Sequence, residues 1–133
     1  MKHAPQDLLA AANDVLKYSY SPYSKYQVAC ALRAADGSIY AGCNIENGSY
    51  SCTLCAESAA LGAMVSAGRR KLHEVLILVA DTRVATPCGP CRQRLFEFAT
   101  PDTVVHCVTR EHLYEVYRLA DLLPHAFDFA ADE

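Results

Sequence analysis

Four cysteines stand in two Cys-x-x-Cys pairs, Cys52/Cys55 and Cys88/Cys91. Thiolates are soft ligands, and paired spacing of this kind often builds a closed tetrahedral zinc site. By spacing alone the four sulfurs read as a non-catalytic four-cysteine zinc module. Cys88-Gly89-Pro90-Cys91 also has the form of a redox dithiol. At a helix N-terminus the first thiol of such a pair is acidified by the dipole, as disulfide exchange requires. Cys30, Cys43 and Cys107 lie in apolar runs and read as small core residues. Seven cysteines in all, an odd number, suit metal binding or redox work in a reducing compartment better than a disulfide frame.

Regular elements must position these thiols. From Gln6 to Ser19, Leu8, Leu9, Ala12, Val15 and Leu16 recur at helical spacing. Ser21-Pro22-Tyr23-Ser24 breaks that helix. Tyr26 to Arg33 and Ile39 to Ile45 read as strands joined at Asp36-Gly37, a strong hairpin signal. Leu54 to Ala67 reads as a helix stopped at Gly68. It is apolar nearly all round, which predicts burial on every side. Val75 to Ala80 is a continuous apolar run, as in a strand covered on both faces. Thr86-Pro87 predicts the next helix start, with Thr86 as N-cap and Pro87 at the first helical position. That helix runs to about Phe98, followed by strands at Val104–Thr109 and Leu113–Tyr117. The order α-β-β-α-β-α-β-β predicts one α/β domain over residues 1–133, a sandwich around a mixed sheet. The redox reading fits this order badly. Thioredoxin-like domains carry an aromatic, usually Trp, before the first cysteine and several strands after the second. This chain has no Trp, and Arg92 to Glu133 hold only about two strands.

Composition narrows the function class. The chain has 133 residues, enough for a single core without staples. Hydrophobic residues at 52 % and charged residues at 20 % mark a globular chain. The net charge of −3, with Arg69-Arg70-Lys71 as the only dense basic cluster, disfavours a nucleic-acid partner. No apolar run nears the ~18–20 residues of a membrane span, and the N-terminus lacks a signal-peptide core, so a cytoplasmic location is expected.

Cys55-Ala56-Glu57 together with Pro87-Cys88-Gly89-Pro90-Cys91 resembles the zinc deaminase signature in its three-cysteine form. Further matches run nearly end to end: Tyr23-Ser24-Lys25-Tyr26, Gly42-Cys43-Asn44-Ile45-Glu46-Asn47, Ser49-Tyr50, Arg92-Gln93 and Leu122-Leu123-Pro124. In order and at workable spacing, they make the chain similar to the small homotetrameric cytidine deaminases. The resemblance implies a three-layer sandwich with a five-stranded mixed sheet between helices, and one zinc per subunit. It assigns Cys55, Cys88 and Cys91 to the metal and Glu57 to proton transfer. Three protein ligands leave one zinc position for water, and zinc lowers that water's pKa to roughly 7. Glu57 sits about 200° round a helix from Cys55, poorly placed as a further ligand beside it but long enough to reach the open side. The implied reaction is hydrolysis of cytidine and 2'-deoxycytidine to uridine and 2'-deoxyuridine, with release of ammonia, in pyrimidine salvage. The resemblance also gives the Ala56 N–H to the base carbonyl, Asn44 and Glu46 to the ribose, and Tyr26 and Phe127 to the pyrimidine and its lid. Gly48 and Tyr50 would enter a neighbouring subunit's site, making composite sites in a homotetramer.

Three positions depart from the family pattern. Ser58 stands where an Arg commonly offsets thiolate charge, and Arg92, beside Cys91, is the expected substitute. Gly48 replaces a usual Ala, and Tyr26 a usual Phe. The alternatives these leave are a related aminonucleoside substrate, of the blasticidin type or a modified cytosine nucleoside, and the non-catalytic four-cysteine module. Cys52 is expected to be a loop or core thiol outside the metal set.

Overall fold

A computed structural model describes residues 3–129. Its elements, in order, are α1 (Gln6–Leu16), β1 (Val28–Ala34), β2 (Ile39–Cys43), a 3-10 turn at Tyr50–Cys52, α2 (Ala56–Ser66), β3 (Leu72–Val79), α3 (Gly89–Phe98), β4 (Ala99–Thr109), β5 (Tyr114–Arg118) and α4 (Leu119–Leu122). The five strands form one sheet in the order β2-β1-β3-β4-β5. β3 and β4 run parallel, and the other neighbouring pairs are antiparallel. The β1–β2 turn closes at Gly37, whose φ of +90° suits a residue without a Cβ.

Alternation along the strands builds two cores. One face presents Cys30, Leu32, Val75, Ile77, Val79, Val105 and Cys107 to Ala56, Ala60, Leu61 and Met64 of α2, Leu95 of α3 and Leu119 of α4. The other presents Ala29, Ala31, Leu76, Leu78 and Val108 to Leu8, Ala12 and Leu16 of α1. β3 is therefore covered on both sides, as its unbroken apolar run predicts. Beyond α1 this second face is polar. Arg33 bridges Asp7 and Glu74 at 2.8 Å each, and His106 links Glu74 to the Tyr114 hydroxyl at 2.8 Å each. Among the described residues no helix is long and apolar enough to cross a membrane.

Two helices depart from expectation. α3 begins at Gly89 with Cys88 as N-cap, not at Pro87 with Thr86 as cap. Pro90, within the first turn, supplies the preset helical φ, and the Thr86 hydroxyl is taken by the Arg92 guanidinium at 2.9 Å. α2 is buried on one side only. Gly62, Ala63, Ser66 and Ala67 face outward, because no other described element of the chain packs there. α2 also starts later than its apolar run, since Leu54 pairs with Ile45 by two backbone hydrogen bonds of 2.8 Å.

Candidate metal centre and active-site cavity

Both helices that carry the candidate thiols start on a cysteine. Cys55 is the N-cap of α2 and Cys88 the N-cap of α3, each with extended backbone angles. The Ile45–Leu54 bridge fixes the entry to α2. Gly42 of β2 lets that helix sit against the sheet, since a Cβ there would lie 2.6 Å from the Ala60 nitrogen. Cys91 lies one turn into α3 and is fully buried. The free N–H groups and positive dipole ends of both helices favour negative charge on the sulfurs.

The three sulfur atoms lie within 4.8 Å of one another, and they form the one such metal-capable group among the described residues. Sulfurs bound to tetrahedral zinc at ~2.3 Å stand about 3.8 Å apart, so the trio fits that ion with a small contraction. Burial raises the Cys55 thiol above its usual range, and the charges of Cys88 and Glu57 add to this. Cys91 is raised by burial first and by the Glu57 charge second. A bound divalent cation overrides such shifts, because it deprotonates its thiol ligands outright. Cys52 is exposed, with its sulfur 3.7 Å from the Ser49 hydroxyl, and stands outside the trio. The four-thiol module therefore lacks its fourth member, as expected for a loop thiol.

Glu57 is 5 % exposed and lies against Cys91. Burial pushes its carboxyl above the usual range; its own N–H, Cys91 and the Arg94 charge act in the opposite sense. It opens into a cavity of about 220 Å³ with Tyr26, Val28, Asn44, Ala56, Ile77 and Cys88. That is below the ~300–1,000 Å³ of sites for drug-sized ligands, so it suits one small ring. A small cleft lined by Cys55, Cys88, a buried carboxylate and an unpaired helix N-terminus, with Cys91 behind it, can bind zinc, shuttle a proton and hold an oxygen of a polar ring.

The cytidine and deoxycytidylate deaminase zinc-binding region matches residues 2–107. The chain belongs to this family. A cytidine deaminase of Sporosarcina psychrophila is 43% identical over 123 residues, 92% of this chain and 90% of that one. The crystal structure of a cytidine deaminase from Burkholderia pseudomallei superposes with a TM-score of 0.86 at 35% identity, covering 96% of this chain and all of that one. A blasticidin-S deaminase of Bacillus cereus is more distant, 29% identical over 107 residues, 74% of this chain and 75% of that one. The five-stranded sheet and three-cysteine zinc site are those of a hydrolytic deaminase.

The remaining residues matched to the family are spread more widely. Asn44 lines the cavity, but its amide is largely committed: Oδ1 accepts from the Val28 N–H at 3.1 Å and from the Ser19 hydroxyl, and Nδ2 donates to the Tyr26 carbonyl at 2.8 Å. Glu46 faces a neighbouring cavity with Tyr23, Ser24 and Tyr50. Its carboxylate accepts the Tyr23 and Ser24 N–H groups at 2.9 and 3.1 Å and the Ser24 hydroxyl. Thr53 lines both cavities, so the two adjoin. Tyr50 is 77 % exposed and meets Tyr23 edge-on, with ring centroids 6.1 Å apart. A Cβ at Gly48 would lie 3.1 Å from the Tyr23 hydroxyl. Phe127 is 71 % exposed; its carbonyl accepts from Gln93 at 3.0 Å, and its ring is not part of the cavity in the single chain.

Arg92 donates to the Pro87 carbonyl at 2.7 Å, the Leu122 carbonyl at 2.8 Å and the Thr86 hydroxyl at 2.9 Å. It thus ties the turn before α3 to the end of α4. Sequence reasoning missed Thr53, Ala85 and Thr86 as cavity walls, and Arg94 as a charge felt at Glu57. Thr86 stands just before the Pro-Cys motif, which could have marked it. Arg94 has only its place three residues after Cys91 to recommend it.

Proposed function

We propose that the chain hydrolyses cytidine and 2'-deoxycytidine to the uracil nucleosides and ammonia. The observation that carries this reading is the buried Glu57 carboxylate opening into the same small cavity as Cys55 and Cys88. Zinc bound by Cys55, Cys88 and Cys91 would supply a water activated toward hydroxide at neutral pH. Glu57 takes a proton from the attacking water and delivers it to ring nitrogen N3 as the oxygen adds at C4. It then passes the second proton to the departing amine, so that one water is consumed and one ammonia is released. A carboxyl raised above its usual range by burial suits both uptake and release.

The Ala56 N–H, at the unpaired start of α2, holds the base carbonyl O2. Val28, Ile77 and Val79 exclude water from the ring, and Tyr26 stacks on it. Asn44 and Glu46 serve the sugar, Glu46 from the adjoining cavity. Arg92 supports the metal centre by fixing the turn that carries Cys88. Phe127 closes the pocket, and Gly48 and Tyr50 act on the site of a neighbouring copy in a homotetramer. Their exposure in the single chain supports that reading, as does the outward row of small residues on α2. The enzyme works in the cytoplasm in pyrimidine salvage, with no nucleic-acid or membrane partner.

The test is to measure zinc per subunit, uridine formed from cytidine, and mass in solution. One zinc, stoichiometric uridine and ammonia, and a tetrameric mass are expected. A metal-free chain, or one inert toward cytidine and active on a blasticidin-type aminonucleoside, would overturn the reading.

A further inference from the structure

The groove between α2 and α3 has a second polar feature that the reaction does not use. It encloses about 560 Å³ and is lined by Leu54, Ser58 and Leu61 on one side and by Arg94, Glu97 and Phe98 on the other. Ser58 and Arg94 each stand three residues after a metal ligand, Cys55 and Cys91. Residues at i and i+3 share a helix face, so both lie one turn behind the thiol trio. The Ser58 hydroxyl oxygen is buried without a hydrogen-bond partner, the one such side-chain atom among the described residues. Arg94 is the only cationic side chain lining the groove, and it makes no hydrogen bond or ion pair among the described residues. A buried hydroxyl wants a partner, and a guanidinium offers five donors. Leu61 and Phe98 line the same groove and form an apolar surface that an arginine's methylene stem can cover.

The charge balance supplies the reason for the pairing. Three thiolates around a dication leave a net −1, and Glu57 beside them adds a further negative charge. The Arg94 charge already reaches Glu57. Arg92, the nearest cation in sequence, has three donors committed to the turn and to α4.

We propose that Arg94 is a positioning residue for the metal centre: when the site is loaded its exposed guanidinium turns into the α2–α3 groove, donates to the unpartnered Ser58 hydroxyl and offsets the negative charge of the three thiolates. This rests on the zinc reading given above. The pairing gives Arg94 a fixed place near the site, and Ser58 is small enough to leave room for it.

The experiment is zinc competition against a chromophoric chelator for the parent chain, Arg94→Gln, Arg94→Lys and Ser58→Ala, with urea midpoints as a folding check. The zinc affinity of Arg94→Gln is expected to fall about tenfold, the low end of what outer-shell partners contribute. Arg94→Lys should recover most of that loss, because it keeps the charge. The difference between Gln and parent should shrink at about 0.5 M salt, where the Debye length drops to a few ångströms. Ser58→Ala should show a smaller loss in the same direction. Equal affinity of parent and Arg94→Gln at low salt, or a Lys variant no better than Gln, would overturn the inference alone. A parent chain that holds no zinc would overturn the metal reading itself.

Discussion

Replacing Gly42 by Ala is expected to damage the site from outside it. Gly42 lies in β2, where α2 rests on the sheet, and an added Cβ would meet backbone atoms rather than a flexible side-chain end. The Ala60 nitrogen would be 2.6 Å away and the Ala59 carbonyl carbon 2.8 Å, where ordinary contact begins at 3.4 Å. α2 must therefore move outward by up to ~0.8 Å, an overpacking that costs roughly 1–3 kcal/mol. With a urea slope of about 1–3 kcal/mol per molar, the unfolding midpoint falls by about 1 M. The same displacement carries Cys55 and Glu57 away from Cys88 and Cys91, which sit on α3. A misplacement near 1 Å can cost about 10²-fold in rate, so turnover should fall by one to two orders of magnitude. The assay is loss of cytidine absorbance at matched zinc content, beside urea unfolding followed by circular dichroism. A Gly42→Ala chain with the parent's midpoint and turnover would refute the claim that the α2–β2 contact sets the site.

Three shorter expectations follow. Asp7 is lowered below its usual range by the Arg33 hydrogen bond; Glu74 is raised by burial but lowered further by its bonds to Arg33 and His106. The stability they contribute is present above their unfolded values near pH 3.9 and 4.3 and is lost as the pH falls through the folded ones. Urea midpoints should drop below about pH 4.5, and a Glu74→Gln chain with an equally steep drop would contradict this. Arg92→Gln removes a guanidinium with three donors in use and should cost about 1.5–3 kcal/mol, with weaker zinc retention as the Cys88 turn loosens; unchanged stability and retention would count against the clamp. Cys52→Ala should keep one zinc and full turnover, and loss of the metal would return Cys52 to the ligand set.

The fold was legible where hydrophobic period decided the matter. The unbroken run at Val75–Ala80 and the hairpin at Asp36-Gly37 led to the strands and turn found. Misreadings fell where several signals competed. Thr86-Pro87 has the form of a helix start, but Pro90 and Cys88 take those positions, and Thr86 is drawn off by Arg92, one of whose two other anchors, Leu122, lies thirty residues further on. The apolar run from Leu54 to Ala67 suggests complete burial, yet its outer side meets no other described part of the chain. Of the candidate site, residue types and spacing pointed to the thiols, and resemblance pointed to Glu57. The cavity walls Thr53, Ala85 and Thr86 come together only through tertiary packing and have no local signature. The Glu46 commitment to the turn at Tyr23–Ser24 was likewise hidden, because the pairing spans more than twenty residues.

That Glu57 moves the protons at a three-cysteine zinc site is tested most directly by kcat/KM for cytidine in Glu57→Gln and in the parent, each with its zinc content determined. Gln keeps the shape and removes the proton carrier. One zinc per subunit in both chains, with a loss of at least ~10²–10⁴-fold in the variant, is the expected result. Parent-level turnover by the zinc-loaded variant would contradict it.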